Sequence, residues 1–455
     1  MHLLNYLNKI ADFFVRFYIS NQKLNMAERE DPIPEELHYE EKMRAIGKRK
    51  PAMHVEQSPD NGTTQVSSTG KIRFPIQGNQ VARFADLKNG YVAVNMVITG
   101  TNVTSAKFGV HGSVGCVSRA TLSTNTNQII SDIYKKNVLD VAMNNTYKSD
   151  NWADSTNNIL HGGAATLAAC IDVLPGTAKR FIIPLDKLGF DETFVPLCGI
   201  EDLKLELYLE SALNVFMSQV KVDAGDLVAT GITYSDMILH YDVFDMMDDE
   251  FESLLQDLGG KFTINSKTWF CQDMTVTNTD TGVSLQLGAG KQDVKRIIAV
   301  QRGVNNDNKL VHNMFSMGTG GATSISLMHN GVELKNRPYA LTGGSPENLL
   351  ENIKAEGGYI YDGNELFGSR IQYILDGDDD ATDLASSGCF VAMFDCQNGF
   401  QTDDSESGIN ITTGSTMLKL VRTGTTNNMN LEVFVEYGQR LELNMLDDRR
   451  FTVMQ

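Results

Sequence analysis

The sequence predicts an all-β chain built as two consecutive β-sandwiches, with a few short helices and long loops. Three observations carry this. After Thr69 the chain becomes a succession of short apolar runs, separated by clusters of Gly, Asn, Thr, Ser and Asp, the residues of turns. Several runs alternate apolar and polar with a period of two, as a half-buried strand does; Leu203–Leu209 is the plainest. The connections are polar and long, which suits a sandwich better than βαβ units.

The amino end stands apart from that pattern. His2 to Ser20 reads as an amphipathic helix, with Leu3, Leu4, Leu7, Ile10, Ala11, Phe14 and Tyr18 near one face. Lys9, Asp12 and Arg16 interrupt it, so it is no signal-peptide core. It suits an interfacial membrane helix or an arm docking on a neighbouring subunit; a third reading starts translation at Met26. From Ala27 to Ser68 the chain is polar, mixed in charge and broken by Pro32, Pro34 and Pro51, which reads as an extended arm. Gly47-Lys48-Arg49-Lys50 is a small basic knot in it, read as a solvated tail or a contact to genome or lipid.

The first expected sandwich spans 69–244. Tyr91 to Ile98 is apolar but for Asn95, as in a strand covered on both faces. Met237 to Val243 is another candidate strand. Gln128 to Met143 places Ile130, Ile133, Tyr134, Val138 and Val141 at helical spacing and predicts a helix. Asp248 to Leu258, carrying Met247, Phe251, Leu254, Leu255 and Leu258, with Gly259 as its stop, predicts a linker helix within 245–260. The second sandwich, 261–445, holds strands at Met417 to Arg422, Leu431 to Tyr437 and Arg440 to Leu443. Ser345-Pro346-Glu347 marks a helix start before Leu349, Leu350 and Ile353. Residues 446–455 read as a tail.

Composition narrows the function. Of 455 residues, 42% are apolar, enough for more than one core, and the net charge is −18. An acidic chain is a poor grip for nucleic acid phosphates, so strong direct nucleic-acid binding is not expected. No apolar run approaches the ~18–20 residues of a membrane-spanning helix. Cys116, Cys170, Cys198, Cys271, Cys389 and Cys396 are scattered without CxxC spacing and read as buried thiols of a reducing compartment.

No catalytic, cofactor-binding or metal residues and no cofactor are expected from the motifs. The eight histidines, His2, His38, His54, His111, His161, His240, His312 and His329, form neither HxxxH nor HxH. A site of two histidines and a carboxylate could still assemble in space, but cupin barrels place such histidines one residue apart. No GxSxG elbow and no Gly-rich loop ending in GK[ST] is present. Gly318-Thr319-Gly320-Gly321 reads as a turn. Asp376-Gly377-Asp378-Asp379-Asp380 has the alternating carboxylates of a calcium loop, but Ala381 stands where glycine is needed and Ser387 where a bidentate Glu is needed, so it reads as a solvated acidic loop. Sequons at Asn61, Asn102, Asn144 and Asn410 would go unused in a cytoplasmic product.

Several segments together resemble a known family. Phe181-Ile182-Ile183-Pro184-Leu185, then Val195-Pro196-Leu197, then the alternating Leu203–Leu209, are similar to the strand–loop–strand segment of double jelly-roll major capsid proteins. Gly112 to Val141 resembles part of that family's first barrel. Ser324 to Leu334 followed by Lys335-Asn336-Arg337-Pro338 resembles its strand-Asn-Gly-strand-Arg-Pro element, and Phe390–Phe394, Ser407–Asn410, Met417–Leu420 and Leu431–Leu443 its closing strands. The resemblance covers roughly Ile72 to Leu443 and lies nearest to coats of Polinton-like, adinto-like and virophage-like DNA viruses, in the adenovirus and tailless-phage lineage.

The resemblance implies two eight-stranded jelly rolls per chain. It further implies a homotrimer whose six barrels form a pseudo-hexagonal capsomer, tiling an icosahedral shell in the virion after synthesis in host cytoplasm or nucleus. Implied partners are neighbouring capsomers, vertex or minor capsid proteins, and an internal membrane or basic genome-associated protein beneath the shell. Lys148 to Gly163 and Gly303 to Gly321 would face outward or lock neighbours. Three other readings stand beside this one: a minor coat or vertex protein, a carbohydrate-binding β-sandwich adhesin (disfavoured by having only Trp152 and Trp269) and an enzyme on a jelly-roll scaffold.

Overall fold

The structure, a computed structural model, describes residues 52–61, 65–67, 70–80, 82–99, 106–108, 111–147, 153–164, 169–174, 176–190, 194–211, 215–217, 231–288, 290–291, 293–304, 314–334, 338–341, 348, 352, 390–396, 408–412, 415–423, 428–444 and 450–454. The expected His2–Ser20 helix, the Gly47–Lys50 knot, the Asp376–Asp380 loop, Cys389, Asn102 and Arg337 lie outside these. Residues 48–455 form one compact unit.

Among the described residues the first half holds thirteen strands. They are Met53–Gln57 (β1), Gln65–Ser67 (β2), Lys71–Ile76 (β3), Arg83–Thr99 (β4), Ala106–Phe108 (β5), Val117–Thr124 (β6) and Ile129–Tyr134 (β7). Asp172–Val173 (β8), Lys179–Pro184 (β9), Val195–Pro196 (β10), Leu203–Leu209 (β11), Phe216–Met217 (β12) and Gly231–Asp245 (β13) follow. The second half holds Lys261–Val276 (β14), Gly282–Gln286 (β15), Val294–Gly303 (β16), Ala322–His329 (β17) and Val332–Glu333 (β18). Tyr339–Ala340 (β19), Ala392–Asp395 (β20), Thr416–Arg422 (β21), Met429–Asn444 (β22) and Arg450–Met454 (β23) complete it.

The two halves follow the same path. In the first, one sheet runs β1-β13-β4-β10 and the facing one β3-β11-β6-β7. In the second, the sheets run β14-β22-β16-β20 and β15-β21-β17-β18. With the principal strands of each half numbered one to eight, both halves read 1-8-3-6 and 2-7-4-5, antiparallel throughout. That is an eight-stranded jelly roll, made twice. Short β2, β9, β19 and β23 add to these sheets, and β5, β8 and β12 form a small third sheet in the first half.

Alternation decides which face goes inward. In β11 every second residue, Leu203, Leu205, Leu207 and Leu209, is buried while Lys204, Glu206 and Tyr208 lie half exposed. The second core gathers Val283, Ile297, Ile325, Phe394, Leu418 and Val433, among others, between its sheets. The described cysteines form no disulfide; Cys116, Cys170, Cys198 and Cys396 are buried and Cys271 half-buried.

Four expectations change. The arm expected through Ser68 joins the first jelly roll from Met53, because β1 pairs with β13 over five residues and β2 pairs with it further along. The expected tail contains β23, paired with β22 from Arg440 to Asn444. The helix expected over Gln128–Met143 is a strand in its first part and a helix only over Lys136–Tyr147 (α1). Ile130 and Ile133 are buried as the pattern asked, yet Arg119 on β6 holds Asp132 on β7 with two hydrogen bonds of 2.7 and 2.6 Å, and Lys135 at φ 55° turns the chain from strand to helix. Leu431–Tyr437 and Arg440–Leu443 are one strand: Gly438 does not end it, but gives Asp293 room, since a Cβ there would lie 2.1 Å from Asp293 Oδ2.

The linker helix forms as expected, over Asp248–Asp257 (α2), and buries Phe251 and Leu254. Gly259 and Gly260 at φ 60° and 75° end it, with the Gly260 amide donating to Leu255 O. Of the helix expected from Ser345, Asn348 and Asn352 are described; both are buried and both donate to Val391 O.

Candidate functional site

Two features stand out once the fold is built: a polar, buried seam between the jelly rolls, and a histidine cluster on the first one. The seam forms where β7 meets β14. Ser131 and Thr268 share a hydrogen bond of 2.9 Å between buried hydroxyls. Gln439 donates from Nε2 to Ile130 O at 2.8 Å and to Ser266 Oγ at 2.9 Å. Beside them Lys135 Nζ donates to Asp273 Oδ2 at 2.8 Å and to Glu432 Oε1 at 2.6 Å. Glu432 is fully buried and is gripped from the other side by Arg302, Nε at 2.7 Å and Nη2 at 2.5 Å, while Arg302 Nη1 donates to Met314 O.

The electrostatics follow from that geometry. Burial opposes ionisation of Glu432, but the Arg302 guanidinium and the Lys135 ammonium outweigh it and hold the carboxyl below its ordinary range. Burial likewise works against charge on Lys135, and Glu432 and Asp273 more than compensate, raising its pKa.

Aromatic packing closes the seam elsewhere. Phe315 lies over Gly115, where a Cβ would sit 2.7 Å from the ring, and meets His111 edge-on at 6.0 Å. Phe84 of the first half meets Phe262 of the second edge-on at 6.4 Å. In the Gly303–Gly321 loop, expected to face outward or lock neighbours, Met314, Phe315, Ser316 and Met317 are buried against this chain. The Gly318–Gly321 segment is a turn, as expected, with Gly320 and Gly321 at positive φ.

Ser113 and His161 come within 3.3 Å of each other. Both lie buried and both direct their polar atoms at Ile182 O, each at 2.7 Å, which ties the Gly112–Cys116 turn to β9 rather than arming a nucleophile.

The histidine cluster sits on the outer face of the β1-β13-β4 sheet. Cross-strand register puts Glu56 opposite His240, His54 opposite Asp242, and His240 opposite Tyr91. His54 Nδ1 lies 2.8 Å from Asp242 Oδ1, and His54 Nε2 lies 3.0 Å from His240 Nδ1. Glu56 Oε1 is 3.9 Å from His240 Nδ1. Tyr91 stacks on His240 at 4.8 Å. His54 and Glu56 are exposed and His240 is buried; burial, opposed by Glu56, lowers the His240 pKa. Sequence reading assigned no metal ligands. His54-x-Glu56 on one strand face is a visible signal, but no local spacing announces its partner 186 residues away.

The strand order defines the class: a double jelly roll. Solved structures share it. The chain is similar to the protein of the PBCV-1 virus capsid (TM-score 0.60, 12% identity, 89% of this chain and 97% of that one). It is similar to the Faustovirus major capsid protein (TM-score 0.60, 10% identity, 87% and 91%) and to the mavirus major capsid protein (TM-score 0.50, 12% identity, 88% and 89%). No protein-family model and no curated sequence matches it.

Proposed function

We propose that this chain is the major capsid protein of an icosahedral DNA virus, a structural component of the virion rather than an enzyme. The observation that carries the reading is the duplicated strand path, 1-8-3-6 over 2-7-4-5 in both halves, joined by a seam of buried hydrogen bonds and ion pairs. Such a chain presents two equivalent barrels as one rigid block. Three blocks give six barrels, so a homotrimer closes into a pseudo-hexagon that neighbouring capsomers can tile. The likeness to viral capsid proteins over nearly the whole chain supports the same reading.

In this reading the first jelly roll runs from the β1 region to residue 244, 245–260 is the linker and 261–445 the body of the second, with β23 paired to the end of β22. Vertex or minor capsid proteins contact the capsomer, and an internal membrane or a basic genome-associated protein lies beneath it. The charge of −18 suits a coat that leaves the genome to such a partner. A sugar-binding adhesin is the weaker reading, since Trp269 is 2% exposed and offers no stacking face. Light scattering on the purified full chain tests the proposal: three times the 50.2 kDa chain mass is expected, and a monodisperse monomer across protein concentration and salt argues against it.

A further inference from the structure

We propose that His54, Glu56 and His240 bind a first-row transition-metal dication, zinc foremost, and that this ion clasps the edge strand β1 to β13. The ligand atoms of the three residues lie within 4.8 Å of one another. Two imidazole nitrogens bound to one tetrahedral ion at about 2.0–2.1 Å sit about 3.3 Å apart. His54 Nε2 and His240 Nδ1 are 3.0 Å apart, close to that spacing before any ion is added.

The surroundings fit the same assignment. Asp242 accepts from His54 Nδ1–H, which leaves Nε2 with the lone pair a metal needs; a carboxylate behind a ligating histidine is the usual outer support. Tyr91 stacked on His240 fixes that ring, so closing both imidazoles on one ion pivots the exposed His54 and moves the His240 proton from Nδ1 to Nε2, which frees the Nδ1 lone pair. Glu56 supplies charge and an oxygen from the same strand face as His54. Two nitrogens and one carboxylate select zinc, copper or nickel over calcium and magnesium, which take oxygen ligands. Water takes the remaining position, because Glu56 opens to solvent.

The consequence is structural. β1 is five residues long and ends its sheet, paired among the described residues with β13 alone. An ion bridging His54 and Glu56 to His240 cross-links the first strand of the first jelly roll to its last.

The test uses the full chain, stripped with chelator and titrated with zinc chloride by calorimetry. One zinc per chain is expected. His54→Ala and Glu56→Gln, both exposed and so harmless to the fold, should each weaken binding at least tenfold, and Asp242→Asn about 10–100-fold. Cobalt in place of zinc should give the intense visible bands of a four- or five-coordinate site in the wild type and lose them in His54→Ala. Hydrogen exchange should slow across residues 53–57 on zinc addition, in the wild type only. Absence of stoichiometric zinc, or equal binding and equal cobalt bands in His54→Ala and Glu56→Gln, overturns the proposal. Neither result depends on whether the chain forms a capsid.

Discussion

Lys135, the residue that follows β7 of the first jelly roll, sets its ammonium 2.6 Å from Glu432 Oε1, on the central strand of the second. The contact crosses the seam, and it is polar where its acceptor is shielded from water: Glu432 is wholly buried and Lys135 is half-buried. A greasy contact would tolerate sliding, whereas a charge held this way has one position in which its lone pairs are satisfied. The pairing of the two barrels is therefore fixed in register, which a building block repeated many times requires.

Removing the carboxylate should be costly. Glu432→Ala takes from the Arg302 guanidinium, 3% exposed, the carboxylate that grips it, and breaking a buried pair in this way costs about 3–5 kcal/mol. Lys135→Met removes one charged hydrogen-bond donor and leaves Arg302 on Glu432, so about 1.5–3 kcal/mol is expected. Denaturant unfolding followed by circular dichroism should rank the variants in that order.

Phe315 gives the apolar counterpart. Its ring lies 3% exposed against Gly115 of the other half. Phe315→Ala should cost about 3–5 kcal/mol through the cavity it leaves. Gly115→Val should also destabilise, because its side chain enters space the ring occupies. Thermal melts of the two variants check both.

Acid should weaken the fold in two stages. Burial pushes the His111 pKa down to about 4, while the unfolded chain takes up that proton near pH 6.5. As pH falls from about 6.5 to about 4 the unfolded state binds the extra proton, and about 3 kcal/mol is lost at this residue. His161, also lowered chiefly by burial, acts with the same sign. The depressed Glu432 carboxyl adds a further loss below about pH 4.3, the ordinary Glu value, where the unfolded chain protonates first. Unfolding free energies measured from pH 7 to 4 should fall less steeply for His111→Gln than for the wild type.

Much of the fold was legible in the residues. Leu203–Leu209 begins and ends where its alternation does, and Phe251 and Leu254 face inward from the linker helix as their spacing asks. The failures have physical causes. Ile130 and Ile133 stand at helical spacing, but a strand buries both here, and Asp132 between them pairs with Arg119 on the neighbouring strand. Leu431–Tyr437 and Arg440–Leu443 read as separate pieces, but they are one strand, in which Gly438 allows a close approach to Asp293. His54 and Ser131 each meet partners more than a hundred residues away, so neither the cluster nor the seam has a local signature.

Charge should govern association. Each chain carries −18, so blocks brought side by side repel, and salt shortens the range of that repulsion to about 8 Å at physiological ionic strength. Assembly followed by light scattering should rise with sodium chloride and rise further with divalent cations; assembly that falls steadily with salt would mean that opposite charges across the contacts dominate.

The most direct test of the central claim is electron microscopy of the purified full chain and of the particles it forms. Class averages with a hexagonal outline built from three chains, each contributing two adjacent barrels, are the predicted result. Averages showing single two-lobed molecules at every concentration and salt, or rings with one barrel per chain, would contradict it.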